Sequence, residues 1–174
     1  MKNFVTTSEF KKYIKNYIKK NQGLYVVPAG EDYIIFTNYF AFRTNKFIFS
    51  AEIAPALGID HVITKPETVS GAYKEPRISD FRNYFDVATK KAEKTILSVD
   101  TGKTFASIFK CEKNGIIVDE VLLDLFHLDN AEFYSAGKKN SLIVAKTAYA
   151  DLVICPIHPS VKVSETVDAI IEAI

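Results

Sequence analysis

The chain has 174 residues, which suits one domain or two very small ones. Hydrophobic residues make up 48% and charged residues 25%, as expected for a globular protein able to bury a real core. The formal charge of +1 excludes a uniformly basic nucleic-acid binder but leaves room for a local basic surface.

Residues 3–6 read as a short first strand, and a helix is expected next. Thr6 and Glu9 have capping-box spacing. Phe10, Tyr13, Ile14, Tyr17 and Ile18 recur at i, i+3, i+4, i+7 and i+8, which lines one apolar stripe. Gly23 is expected to end this helix in a left-handed conformation. The stretches 24–30 and 32–45 are rich in β-branched and aromatic residues and read as strands, with Tyr39 and Ala41 on one face and Phe40 and Phe42 on the other. "RTNK" (43–46) reads as a hairpin turn into a strand "FIFSA" (47–51). Pro55 interrupts a short helical or irregular piece.

Residues 60–78 hold Pro66, Gly71 and Pro76 with no clear period and read as a connector. A helix is expected over 79–94, with Phe81, Tyr84, Phe85, Ala88 and Ala92 on one side, and then a strand at 95–100. "VDEVLLDLFHLD" (118–129) reads as a helix with Asp119 as N-cap. Three strands follow in "AEFYSAG", "SLIVAKTA" and "ADLVICPI", the first turn being "GKKN". The tail 164–174 is expected to be an amphipathic helix capped by Ser164, with Val167, Ile170, Ile171 and Ile174 on its apolar side. Two halves, about 1–59 and 79–160, therefore share an order of elements without a residue-level repeat. The expected class is one α+β domain, with antiparallel sheet carrying helices on one face.

Few motifs carry chemistry. "TGKT" (101–104) lacks the glycine a phosphate-binding loop needs five residues before its Gly-Lys pair; that position is Leu97, so a turn or a helix start is expected. Glu120, Asp124 and His127 share a face if 118–129 is helical, but no second helix supplies the other half of a metal site, and a solvated face is expected. Cys111 and Cys155 form no CxxC pair, and the three histidines (His61, His127, His158) are scattered without zinc-ligand spacing. Cys155, between apolar residues and Pro156, reads as a buried small hydrophobe. No cofactor or metal is expected, and no motif argues for an enzyme. "MKNFVTTSEF" lacks a signal-peptide apolar run, and no stretch approaches 18 apolar residues. The cytoplasm, with no membrane contact, is the expected location.

The first helix is the most informative element. "SEFKKYIKNYIKK" (8–20) holds five lysines, no arginine and one acid. At 100° per residue Lys11, Lys12, Lys15 and Lys19 fall opposite the apolar stripe, with Lys20 nearer its edge. Two readings stand: a solvated face in a protein whose 22 basic residues include 19 lysines, or an electrostatic track for a phosphate backbone. Lysine suits the second as a mobile point charge.

The stretch "GIIVDEVLLDLFHLDNAEFYSAGKKNSLIVAKTAYADLVICPIHP" (115–159) resembles the end of a bacterial DNA sliding clamp, the β subunit of the replicative polymerase. "MKNFVTTSEFKKYIKNYI" resembles a clamp's opening strand and first helix. The family's closing hydrophobic-Met-Pro-Met pattern is similar to Val153-Ile154-Cys155-Pro156-Ile157, with cysteine and isoleucine in the methionine places. The resemblance implies a clamp-like fold and a processivity factor for DNA replication. Lys11, Lys12, Lys15, Lys19 and Lys20 would face duplex DNA. Val153, Cys155, Pro156 and Ile157 would line a pocket for linear peptides of replication proteins. Clamps carry three domains per chain and this chain about one, so a ring would need more copies in a homo-oligomer. The acids of 118–129 would repel DNA in a ring channel, and the final helix extends beyond the family's usual end. A protein-interaction module without DNA binding is the alternative. Lysine-rich, arginine-poor usage suggests a phage or mobile element of a low-GC bacterium.

Overall fold

The structure, a computed structural model, describes residues 3–72 and 85–174. Ten strands form one antiparallel sheet: β1 (Leu24–Ala29), β2 (Asp32–Phe36), β3 (Phe40–Asn45), β4 (Glu67–Ser70), β5 (Lys90–Asp100), β6 (Phe105–Cys111), β7 (Asn114–Asp119), β8 (Glu132–Ser135), β9 (Ile143–Lys146) and β10 (Ala150–Ile154). Their order is β4-β1-β2-β3-β10-β9-β8-β5-β6-β7. The helices are α1 (Thr7–Lys19), α2 (Lys46–Ile48), α3 (Ala54–Leu57), α4 (Glu120–Leu123) and α5 (Val161–Ala173), with a π-helical turn, Phe49–Ile53, between α2 and α3. The class is α+β.

The sheet has a local two-fold at its centre. β3 and β10 pair antiparallel with Phe42 opposite Leu152 at mid-register. Going outward, each strand is followed by the other two strands of its own three-stranded meander, β2 and β1 on one side and β9 and β8 on the other. The tight turns match atom for atom. Thr37 N–H donates to the Phe40 carbonyl, and Thr37 Oγ1 accepts from the Tyr39 and Phe40 amides. Thr147 does the same with the Ala150 carbonyl and the Tyr149 and Ala150 amides. In both turns the threonine hydroxyl also donates to that same carbonyl, at 2.9 Å. Threonine hydroxyls, like the side chains of Ser, Asn and Asp, can imitate a backbone turn in this way. The repeat that the sequence does not display is therefore present locally, as Thr-x-Tyr in "TNYF" and "TAYA".

One sheet face carries α1, the α2–α3 segment and the Leu122–Phe126 stretch over the main core. Phe4, Phe10, Phe40, Phe42 and Phe126 interlock there, with ring centroids 5.3–6.2 Å apart. The edge-to-face pairs among them, Phe10–Phe42, Phe10–Phe126, Phe40–Phe126 and Phe42–Phe126, add to the apolar burial itself. Val5 bridges Phe126, and Glu52 of the π turn accepts from the Phe4 and Val5 amides at 2.8 and 3.1 Å. The chain's first segment is thus fastened on both sides.

The opposite face is not bare, so the expectation of helices on one face holds only in part. Phe85 and Ala88 pack there on Val27, Ile34, Ala41, Val144 and Val153. The α5 helix covers Ala106, Ile108 and Ile117 on that side with Val167 and Ile171. Its closeness explains Gly115: a Cβ at that position would lie 2.5 Å from Val167 Cγ1.

Several elements differ from the sequence-based expectation for identifiable reasons. Asn21, at φ 52, rather than Gly23 ends α1, with Gln22 N–H on the Tyr17 carbonyl in a Schellman pattern. Thr6 is the N-cap residue but gives its hydroxyl to the Asp124 carbonyl, so no capping box forms. "RTNK" is not a hairpin turn: β3 runs to Asn45, whose side chain accepts from Ile48 N–H and starts a helix. "FIFSA" is accordingly helical, burying Ile48 and Phe49, and the π-helical turn that continues it buries Ile53. The connector contains β4, paired with β1.

Of the helix expected over 79–94, residues 79–84, with Phe81 and Tyr84, lie outside the described residues. Helix is found only at 85–87, and Ala92 is buried within β5. The helix expected over 118–129 shrinks to one turn. Ile116, Ile117 and Val118 are claimed by β6 in register, and Phe126 by the bridge to Val5. Asp119 does cap that turn, accepting from Val121 N–H at 3.0 Å. The last helix starts earlier than expected, after Ser160, and Ile174 is exposed.

Candidate nucleic-acid and partner surfaces

The 13-residue α1 buries Phe10, Ile14 and Tyr17 completely or nearly so. That anchorage fixes which way its other faces point. Lys11, Lys12, Lys15, Lys19 and Lys20 are all exposed. None makes an ion pair among the described residues, whereas Lys46, Lys90 and Lys139 pair with Glu31, Glu112 and Asp168. The one acid of α1, Glu9, is bonded by its Ser8 neighbour, which holds its carboxyl below the usual range with a smaller contribution from Lys12. Lys19 in the last turn also complements the helix dipole. The strip is thus a row of uncompensated positive charge on a rigid element, which is what phosphate contact requires.

Two of the three acids that would repel DNA, Asp119 and Glu120, are engaged within the fold. Asp119 caps α4 and accepts from Thr104 Oγ1 at 3.0 Å. Glu120 accepts from Ser107 Oγ at 3.1 Å. Asp124 is exposed beyond the end of α4, so Glu120, Asp124 and His127 do not share a helix face. No group of three or more metal-ligating side chains occurs among the described residues. "TGKT" is a turn between β5 and β6: Thr101 Oγ1 accepts from Thr104 N–H, and Gly102 takes φ 79.

A cleft opens at the C-terminal end of α1, lined by Tyr13, Asn16, Tyr17, Lys20, Gln22 and Tyr39, with a volume of about 250 Å³. Tyr13 and Tyr17 stack at 5.9 Å, and Tyr39 meets Tyr17 edge-on at 6.3 Å. The Tyr17 hydroxyl accepts from Asn38 N–H at 2.7 Å, tying the helix to the β2–β3 turn. Burial, reinforced by the neighbouring Tyr17 and Tyr39, pushes the Tyr13 phenol above its ordinary value. The sequence stripe pointed to Tyr13 and Tyr17 as core residues; it gave no sign that Tyr39 would meet them.

The residues carried over for peptide capture divide three ways. Val153 is fully buried among Phe85, Ala88 and Val144. Ile157 packs beside α5 and donates its N–H to the Ile117 carbonyl at 2.8 Å. Cys155 and Pro156 line a groove of about 490 Å³ together with Val87, Ala88, Leu142, Val144, Lys138, Lys139 and His158. Cys155 is half-buried, its Sγ 3.9 Å from the Asn38 carbonyl, while Cys111 is buried.

No described helix is long and apolar enough to cross a membrane. Comparisons with protein-family models, curated proteins and solved structures found no match to this chain.

Proposed function

We propose that the chain is a clamp-like, replication-associated protein that contacts the DNA backbone through α1 and takes linear peptides of protein partners in the groove at Cys155 and Pro156. The observation that carries this reading is the row of five exposed lysines without ion-pair partners on a helix whose opposite side is locked into the core. Lysine contacts of this kind supply affinity without base preference. The central two-fold supports the clamp part, because two strand–helix–strands halves are what the resemblance implies. The outer edge of β4 also has no strand partner among the described residues, and β5 pairs with β8 only as far as Ala92. Open edges of this sort are where copies join into larger sheets.

The test is duplex-DNA affinity measured against salt. The wild-type chain should bind at low salt with a steep log–log slope. Replacing Lys11, Lys12, Lys15 and Lys19 by Gln should flatten that slope by about 3 to 4 units, near one for each phosphate no longer neutralised. Unchanged binding in that variant would exclude α1 as the DNA-contacting element. A second reading, a protein-interaction module without DNA contact, is favoured by the apolar groove being roomier than the cleft beside α1. It predicts no DNA binding at any salt concentration.

A further inference from the structure

We propose that the tyrosine cleft at the end of α1 stacks an unpaired base, so that the protein prefers nucleic acid with a single-stranded segment next to a duplex. The inference rests on the backbone contact proposed for α1 and specifies which form of nucleic acid that surface takes. Single-stranded binding sites combine a positive track for the backbone with aromatic faces on which bases stack. Both parts are present and continuous. On the helix, Lys20 and Asn16 lie between the cleft and Lys12 and Lys19, so a strand whose phosphates follow the lysines arrives at Tyr39.

Tyr39 is 44% exposed, yet its backbone is held at three points. Its amide donates to Thr37 Oγ1, its carbonyl accepts from Cys155 N–H at 2.8 Å, and the preceding amide is bonded by Tyr17. An exposed ring on a fixed backbone gives up little freedom on stacking.

The other half of the molecule supplies an internal control. Tyr149 occupies the equivalent place in the second turn and is also exposed. The two clefts that Tyr149 lines hold His127, Asp129 and Asn130 on one side and Asp32, Asp151 and Arg43 on the other, with Arg43 paired to Asp151, and no lysine lines either among the described residues. No lysine row leads a phosphate backbone to that ring, so the site is expected at Tyr39.

The experiment uses the full chain and three labelled DNAs at one salt concentration: a blunt duplex, the same duplex with an oligo-dT overhang, and oligo-dT alone. A ribo-U overhang tests whether RNA serves as well. The overhang should bind about tenfold tighter than the blunt end, the range expected for one stacked base. Tyr39→Ala should abolish that difference without changing the salt slope, Tyr39→Phe should keep it, and Tyr149→Ala should leave it intact. Because the chain has no tryptophan, Tyr39→Trp places a unique fluorophore at the site, and its emission should be quenched by the overhang but not by the blunt duplex. Equal affinity for blunt and overhanging DNA, or a preference that survives Tyr39→Ala, overturns the inference and leaves the backbone contact standing. No binding to any of the three DNAs overturns both.

Discussion

The two meanders around the β3–β10 axis are built alike, and the helices that precede them are not. In the first half α1 runs for 13 residues and, with its C-cap Lys20, turns five lysines outward. In the second half α4 lasts four residues, and the acids at its start are engaged in a cap and on Ser107. The sheet is the conservative part because its register is over-determined: a slip by one residue at the axis would turn Phe42 and Leu152 out of the core. The helices are attached to that frame by one side only, which leaves their other faces open to different surfaces. The proposed DNA contact belongs to the half with the long helix, and the proposed peptide groove at Cys155 and Pro156 to the other.

Four substitutions probe how equal the halves are. At the axis, Phe42→Ala should cost about 3–5 kcal/mol, because it empties the centre of the phenylalanine cluster. Leu152→Ala, its cross-strand partner, also opens a fully buried site but should cost less, about 2–4 kcal/mol, since the aromatic cluster keeps all its rings. Urea melts should show both as lower midpoints with unchanged m-values. If Leu152→Ala proved the more damaging, the first half would not be the stronger side of the core.

The turn threonines come next. Thr37 is buried, and its removal leaves the Tyr39 and Phe40 amides without that acceptor, so Thr37→Ala should cost about 2 kcal/mol. Thr147 makes the same bonds in a more exposed turn where water can replace them, and Thr147→Ala should cost about 1 kcal/mol or less. Equal losses would show that the two turns are energetically as well as geometrically alike.

The smallest effect is a pH dependence confined to the β4 edge. His61 bonds Glu67 at 2.8 Å, and this bond first, with Asp60 second, raises its pKa. A raised folded-state pKa gives stability that is present below the ordinary imidazole value of about 6.5 and fades as pH rises through the higher folded value. Amide protection in β4, taken relative to the intrinsic exchange rate at each pH, should therefore fall across that window, and His61→Ala should remove the fall. A response spread over β8–β10 would place its origin elsewhere.

Part of this architecture is legible in the sequence. The i, i+3, i+4 stripe identifies α1 and its exposed lysines, and alternation identifies the sheet faces of Phe40 and Phe42. Stretches whose partners are remote in sequence mislead. "FIFSA" has strand composition, but Asn45 caps it into a helix. "VDEVLLDLF" has helical period, but β6 and Val5 claim its ends. The two-fold is hidden because equivalent turns share only Thr and Tyr. The cleft at Tyr39 is hidden because its walls come from α1 and a turn separated by two strands.

The most direct test of the central claim is a lysine-reactivity footprint of the chain with and without bound DNA. Acylation read by mass spectrometry gives the protection of each lysine. Backbone contact through α1 predicts protection of Lys11, Lys12, Lys15, Lys19 and Lys20, with Lys91 and Lys94 on β5 and Lys113 beside β7 still reactive. Protection centred on β5 and β7, with the α1 lysines unchanged, would contradict it.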